Sequence, residues 1–464
     1  MRIAIEDNSY NSLLTELPKM GHEVVCYVAG IDHELLWPIE GVTYAKSSLD
    51  MFKSKIDLCI TTDEAGNNVK PYAEAFGVPV IGHSDLTLEL EANREFACQV
   101  IESTGMKSYI KIPERKEFIS KAAAATWLRK QKASSWVLKQ HRTSPLEIIT
   151  NRTFVSDHKN QHLFALQLLE ADNSAWFKGD KGGVRFERFI EGTEICWGSF
   201  WALNDFISPI YWCQEHKEPQ NNKRSGILTG EVGTLMGVKH DTYTKSKCKV
   251  SSLFYELGNF LTSVPTSTAS GMIDINTIVD AKGDLWFVEF TTRWGRPTLE
   301  MQIAMSLGNK TWLDNIAHAC SPKYTPGKFD WTYVYNKAIG VTVFDYGLPY
   351  MVDPNRKSMK YKPPIGSVLA SKTKKPSVGE LESKVLPFLT NPAAGDGLWM
   401  TMPEDARHFV SIGLGTQAYD GWNEIKERAY IPLKDFNAPG MTWRDDIGDN
   451  ADTVQEVIEC FKLL

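Results

Sequence analysis

The 464-residue chain has no apolar run long enough to cross a bilayer, and no long apolar core follows its opening Met1-Arg2-Ile3-Ala4-Ile5. These absences argue against a membrane-spanning or exported protein and make a cytoplasmic one the expectation. A Cys-x-x-Cys pair is also missing. The eight cysteines (Cys26, Cys59, Cys98, Cys196, Cys213, Cys248, Cys320 and Cys460) are scattered, with no His partner at metal spacing. Reduced, buried thiols are therefore expected, rather than a zinc ribbon or a disulfide framework. Neither sign of charge dominates: 51 Lys and Arg face 57 Asp and Glu, a net charge of -6. Broad attraction to nucleic acid is disfavoured by that balance, which leaves only a local basic groove for direct binding. Internal repeats and low-complexity segments are absent as well.

What is present is core material. Apolar residues make up 42% and aromatics 11%, including 14 Trp. The length exceeds what one hydrophobic core serves, so about three domains are expected. From Met1 to His83 short apolar strands (Arg2 to Ile5, Glu23 to Tyr27, Leu58 to Thr61, Val78 to Ile81) alternate with helical stretches (Tyr10 to Met20, Val69 to Phe76). This βα alternation predicts a doubly wound parallel sheet. Leu86, Leu90, Phe96, Ala97, Val100 and Ile101 recur at helical spacing before Gly105 and predict one helix from Leu86 to Thr104. Trp136 to Lys139 and Val184 to Phe189 read as strands in a mixed segment. Pro354 to Lys375 reads as exposed loops, and the last region combines strands at Ile339 to Phe344 and His408 to Gly413 with helices at Asp420 to Tyr430 and Asp452 to Leu464.

The stretch from Gly271 to Gly295 carries the sharpest chemical signal. Met272 to Val279 and Leu285 to Val288 are strand-like and flank the turn Ala281-Lys282-Gly283-Asp284, so Asp274 and Glu289 fall on facing strands of one hairpin. Either they are ordinary solvent-facing residues or they hold a hard cation that bridges nucleotide phosphates. Lys139 ends an apolar strand where it could meet a phosphate as a point charge. Glu187 to Glu194 exits a strand into an acidic turn, where backbone groups could meet an adenine edge and an acid could take ribose hydroxyls. Gln214-Glu215-His216-Lys217 precedes the glycine-rich run Gly226-Ile227-Leu228-Thr229-Gly230-Glu231-Val232-Gly233, whose amides could approach an anion.

In order and spacing these pieces resemble glycinamide ribonucleotide synthetase (phosphoribosylamine-glycine ligase), a family of the ATP-grasp superfamily. The matching residues are Gly77 to Ser84, Gln214 to Lys217 with Gly226 to Gly233, Glu289, Phe290, Arg293, Gly295 and Pro297, and Trp443 to Gly448. The resemblance implies an α/β fold: an N-terminal doubly wound parallel-sheet domain (1–85), a central ATP-grasp domain (86–330) with a mobile lid at about 108–187, and a C-terminal α+β domain (331–464). It implies an ATP- and Mg²⁺-dependent ligase, with Mn²⁺ an alternative cation, that joins a small amino acid to an amine through an acyl phosphate in purine biosynthesis. Arg94 and Lys139 would face the phosphates, and Glu187, Ile190 and Glu194 the adenosine. Arg293 and Lys217 would carry catalysis, while Asn8, Ser9, His216, Thr229, Gly230 and Gly295 would line the substrate sites. Glu289, Asp274 and Thr291 are the metal candidates. A monomer and a dimer fit equally well.

Three places depart from the family pattern. Glu6-Asp7-Asn8-Ser9-Tyr10 replaces a glycine loop after the first strand, and two acids there would repel a phosphate. The lid loop from Gln140 to Thr150 has no glycine, and Thr291 stands where the family has a metal-binding Asn. Three readings follow: the family's own ligase with glycine as donor, the same chemistry on another amine acceptor, and a nucleotide-binding protein without catalysis.

Overall fold

The computed structural model describes residues 1–6, 11–28, 39–61, 69–131, 136–140, 152–155, 159–170, 184–202, 204–217, 232–239, 248–264, 270–306, 333–345, 368–371, 383–387, 390–392, 398–401, 407–416, 419–437 and 441–464. Its first sheet is the one the βα alternation predicts. Strands β1 (Arg2–Glu6), β2 (Glu23–Tyr27), β3 (Val42–Tyr44), β4 (Leu58–Ile60) and β5 (Val80–Ile81) are all parallel, in the order β3-β2-β1-β4-β5. Helices α1 (Asn11–Lys19) and α2 (Lys70–Ala75) connect them. Leu13, Leu14 and Leu17 cover one face, while Met51, Phe52, Val69 and Ala73 cover the other. The two-sided burial explains why the strands read as continuous apolar runs.

The helix expected from Leu86 to Thr104 is two helices, α3 (Asp85–Ala92) and α4 (Arg94–Ser103). Asn93 between them is extended (φ -107°, ψ 94°), and its side chain accepts from the Phe96 N–H at 3.1 Å. An asparagine that caps a new first turn competes with helix continuation, which apolar spacing alone does not register. The break places Glu91 at the end of one helix and Arg94 at the start of the next.

Beyond them run β6 (Ile110–Lys111), β7 (Arg115–Phe118), α5 (Lys121–Lys130), β8 (Trp136–Gln140), β9 (Arg152–Val155), α6 (Lys159–Glu170) and β10 (Val184–Arg188). Strands β7, β10, β8 and β9 form an antiparallel sheet of their own, in that order. Its small core joins Leu128, Trp136, Leu138, Leu169, Val184 and Phe186.

The largest sheet contains β11 (Thr193–Ala202), β12 (Asp205–Phe206), β13 (Tyr211–His216) and β14 (Gly233–Val238). After α7 (Lys249–Ser263) it adds β15 (Gly271–Val279) and β16 (Leu285–Thr291); α8 (Thr298–Met305) and β17 (Lys337–Asp345) follow. Pairing of β14 with β17, and of β17 with the strand Arg407–Gly415, carries the sheet unbroken from the central segment into the C-terminal one. Alternation along β11 sorts its side chains. Ile195, Trp197 and Trp201 join the apolar core with Phe254 of α7, whereas Cys196 and Phe200 face the cluster shared with β1 and α1. Within the expected loop Pro354 to Lys375, Val368–Ser371 is a strand paired with Leu398–Thr401 and Phe436–Asn437; the rest lies outside the described residues. Among the described residues no helix is long and apolar enough to cross a membrane.

Candidate active site

The hairpin β15–β16 is antiparallel, with Asp274 opposite Thr291 and Asn276 opposite Glu289 before a bulge at Asn276/Thr277. Opposed residues share a face, so all four project to the same side of the sheet. Neither acid is an ordinary surface residue. Asp274 is 1% exposed and accepts a hydrogen bond from Tyr211 Oη at 2.6 Å. Gly198 beside them makes this contact possible, because a Cβ there would lie 2.2 Å from both the Asp274 Oδ1 and the Tyr211 ring. Burial pushes the Asp274 carboxyl well above the usual range against the Tyr211 bond, and Glu215 adds to the rise.

Glu289 pairs with Arg94 at 3.0 Å, joining β16 to the first turn of α4. Arg94 is buried, and burial lowers its pKa against the pull of Glu187. Lys139 and Glu187, on adjacent strands of the small sheet, are both buried and meet at 2.5 Å. Lys139 also donates to the Val288 carbonyl at 3.4 Å, so the small sheet touches the hairpin through this lysine. Arg185, fully buried, reaches Glu187 at 2.9 Å and Glu117 at 3.3 Å. Burial would raise the Glu187 pKa, but Lys139, Arg185 and Arg94 together hold it below the ordinary carboxylate range.

Just past β16, Arg293 pairs with Glu91 at 3.1 Å, and Glu91 also accepts from the Thr292 N–H at 2.8 Å. Burial opposes ionisation of Glu91, yet Arg293, His83 and the Thr292 donors lower its pKa overall. Thr292 Oγ1 contacts His83 Nδ1 at 2.9 Å, which links this acid to the Gly77 to Ser84 run. Gly295 follows, buried.

Lys217 pairs with Glu194 at 3.2 Å and Glu215 at 3.0 Å across β11 and β13. The adjoining Gln214 accepts from Asn450 Nδ2 at 2.7 Å. Arg444 is bound to Asp446 on the same C-terminal stretch. Burial first and Arg444 second push the His216 pKa down to about 4. The separate runs Gln214–Lys217 and Trp443–Gly448 are thus neighbours in space.

Each charged candidate has a partner within the protein that the sequence alone does not assign. Glu187, read for adenosine, is engaged by Lys139 and Arg185, and Glu194 by Lys217. Ile190, half-buried, sits in the turn after β10. Asn8, Ser9, Thr229 and Gly230 lie outside the described residues. The residue missed is Asn276. Its Nδ2 donates to Thr291 Oγ1 at 3.1 Å, while its buried Oδ1 has no partner among the described residues. An unpartnered buried carbonyl directly across from Glu289 is a hard oxygen donor of the kind a small divalent cation takes. The signal was available in the Asp-x-Asn alternation of Asp274-Ile275-Asn276, which puts acid and amide on one face.

No family model matches the chain, and no curated protein matches it. Solved structures do. The phosphoribosylamine-glycine ligase of Thermotoga maritima superposes with a TM-score of 0.67 at 16% identity, covering 96% of this chain and 100% of that one. The biotin carboxylase domain of Hydrogenobacter thermophilus 2-oxoglutarate carboxylase, bound to MgADP and bicarbonate, gives a TM-score of 0.61 at 12% identity, with 99% and 97% covered. The L-amino acid ligase of Bacillus licheniformis gives 0.52 at 12%, with 94% and 97% covered. Over nearly its whole length, therefore, this chain has the fold shared by phosphoribosylamine-glycine ligase, biotin carboxylase and L-amino acid ligase, the ATP-grasp fold that its motifs resemble.

Proposed function

We propose that this chain is an ATP- and Mg²⁺-dependent carboxylate-amine ligase. The observation that carries the reading is the pairing of Glu289 with Asn276 across the hairpin, with Arg94 on Glu289, Lys139 on the adjacent Val288 carbonyl and Arg293 just past the strand on Glu91. Glu289 and the Asn276 carbonyl would hold Mg²⁺, with Thr291 fixing the amide through its hydroxyl. The ion would supply charge neutralisation at the phosphate oxygens. Lys139 and Arg94 would meet phosphates once their present carboxylate partners yield, each as a buried cation whose field water screens little. Arg293 would bind the donor carboxylate and Lys217 the developing negative charge. Glu187, Ile190 and Glu194 would border the adenosine, and 108–187, whose small sheet has its own core, would be the lid that excludes water.

The altered acceptor is favoured over phosphoribosylamine by the surroundings of α1. Ser12, in its first turn, donates to Glu300 Oε1 at 2.8 Å, and Glu300 is fully buried; Glu6, at the end of β1, is buried too. A helix N-terminus attracts anions, and here α8 supplies a carboxylate of the chain's own. A phosphate monoester at this place would meet two acids, so the acceptor we propose is an amine without a phosphate there.

A mass-spectrometric screen of amino acids against amines, with ADP release measured in parallel, tests this reading. Product is expected with a non-phosphorylated amine, and Glu289→Gln should lower turnover about 100-fold or more. Product with phosphoribosylamine and glycine alone would restore the family's own substrate. ATP binding without ADP across the whole panel would make the protein a non-catalytic nucleotide binder.

A further inference from the structure

Two cysteines seventeen positions apart in the sequence are brought together on the sheet face described above. Cys196 of β11 and Cys213 of β13 are directly opposed in the antiparallel register. Glu215, two residues beyond Cys213, projects to the same side. One ligand atom from each of Cys196, Cys213 and Glu215 lies within 4.8 Å of the other two. Both cysteines are buried, and Glu215 is partly exposed. After burial itself, neighbouring Cys213 and Asp274 push the Cys196 thiol pKa further up, as groups lying beside it would.

We propose that Cys196, Cys213 and Glu215 form a binding site for a thiophilic divalent cation, zinc first, distinct from the Glu289–Asn276 pair. Two sulfurs and one carboxylate oxygen are a donor set that Zn²⁺ takes in tetrahedral geometry, with the fourth position left open. Hard cations such as Mg²⁺ avoid sulfur, so the two sites select different ions on chemical grounds. As the two metal–sulfur bonds form, each thiol releases its proton to solvent. The bound group then carries two thiolates and a carboxylate against the dication, a net single negative charge, and Lys217, 3.0 Å from Glu215, balances it. Asp274 beside Cys196 would support the sulfur from outside the coordination sphere, as neighbouring polar groups do in metal sites. The group adjoins the proposed Mg²⁺ ligands, since Cys196 is also opposite Asn276 in the register of β11 with β15, but its cobalt readout needs no turnover and so fails or succeeds separately from the ligase reading.

Cobalt(II) titration of the reduced full-length chain tests it directly, because thiolate-bound Co²⁺ shows a sulfur-to-metal charge-transfer band in the near ultraviolet that Zn²⁺ abolishes. One equivalent of Co²⁺ should give that band, and one equivalent of Zn²⁺ should bleach it. Cys196→Ser and Cys213→Ser should each lose it, whereas Glu215→Gln should keep the band, with its visible transitions shifted and affinity lowered about tenfold. Circular dichroism of each variant confirms folding, and Cys460→Ser, at an exposed cysteine outside the group, should leave the band intact. The proposal is overturned if the reduced wild-type chain gives no band. It is overturned equally if the band survives in the Cys196→Ser/Cys213→Ser chain, or if mass spectrometry finds these two cysteines joined as a disulfide under reducing conditions.

Discussion

The Arg94–Glu289 pair offers a test that separates architecture from chemistry. At 3.0 Å, with an effective dielectric constant near 20, the direct attraction is about 5 kcal/mol before desolvation is subtracted. Arg94 is 5% exposed and Glu289 20%, so Arg94 suffers most of the desolvation. Glu289→Met leaves that buried charge with the more distant Glu187 and Glu91, and should cost about 3 kcal/mol, the low end for breaking a buried pair. The double change Arg94→Met/Glu289→Met removes both charges and replaces them with apolar volume. Its stability should return to within about 1 kcal/mol of the parent, a coupling of about 2 kcal/mol or more. Urea unfolding at constant slope reads both values. ADP formation should stay abolished in the double variant if Glu289 holds the cation as proposed, although the fold is restored. Additive destabilisation would refute the pairing, and turnover surviving in Glu289→Met would refute the metal role.

Three further outcomes are expected. His216 has a folded pKa of about 4 against its ordinary 6.5, so between these values the unfolded chain takes up a proton that the folded chain refuses. Its contribution is complete above pH 6.5 and is lost as pH falls toward 4, at most about 3 kcal/mol; His216→Asn should flatten that part of a stability-versus-pH curve measured by urea unfolding. Asn276→Leu should raise the Mg²⁺ concentration needed for half-maximal ADP formation about tenfold, and an unchanged requirement would remove Asn276 from the site. Gly198→Ala drives a methyl group into Asp274 and Tyr211, each 2.2 Å away, and should lower the urea midpoint by the equivalent of about 1–3 kcal/mol.

The parallel sheet at the N-terminus was legible because strands buried on both faces read as apolar runs between amphipathic helices. The hairpin from Gly271 was legible because a turn signal separates two strand-forming runs. The break at Asn93 was not, since one polar side chain inside an apolar helical pattern carries no mark of whether it faces solvent or caps a turn. Nor was the small strand β3, which is three residues long and only half-buried.

By itself the sequence carried the charges Arg94, Lys139, Lys217, Glu289 and Arg293 in an order that resembles one family of ligases. Tertiary structure alone decided their partners, because register is a property of two strands and neither strand encodes it locally. Register sets Asn276 opposite Glu289 and Cys196 opposite Cys213, and the close approach at Gly198 turns Asp274 toward Tyr211. The cysteines illustrate the difference most plainly. Seventeen positions apart by their numbers and without any spacing motif, they read as scattered thiols, and only the antiparallel return of β13 beside β11 makes them a pair.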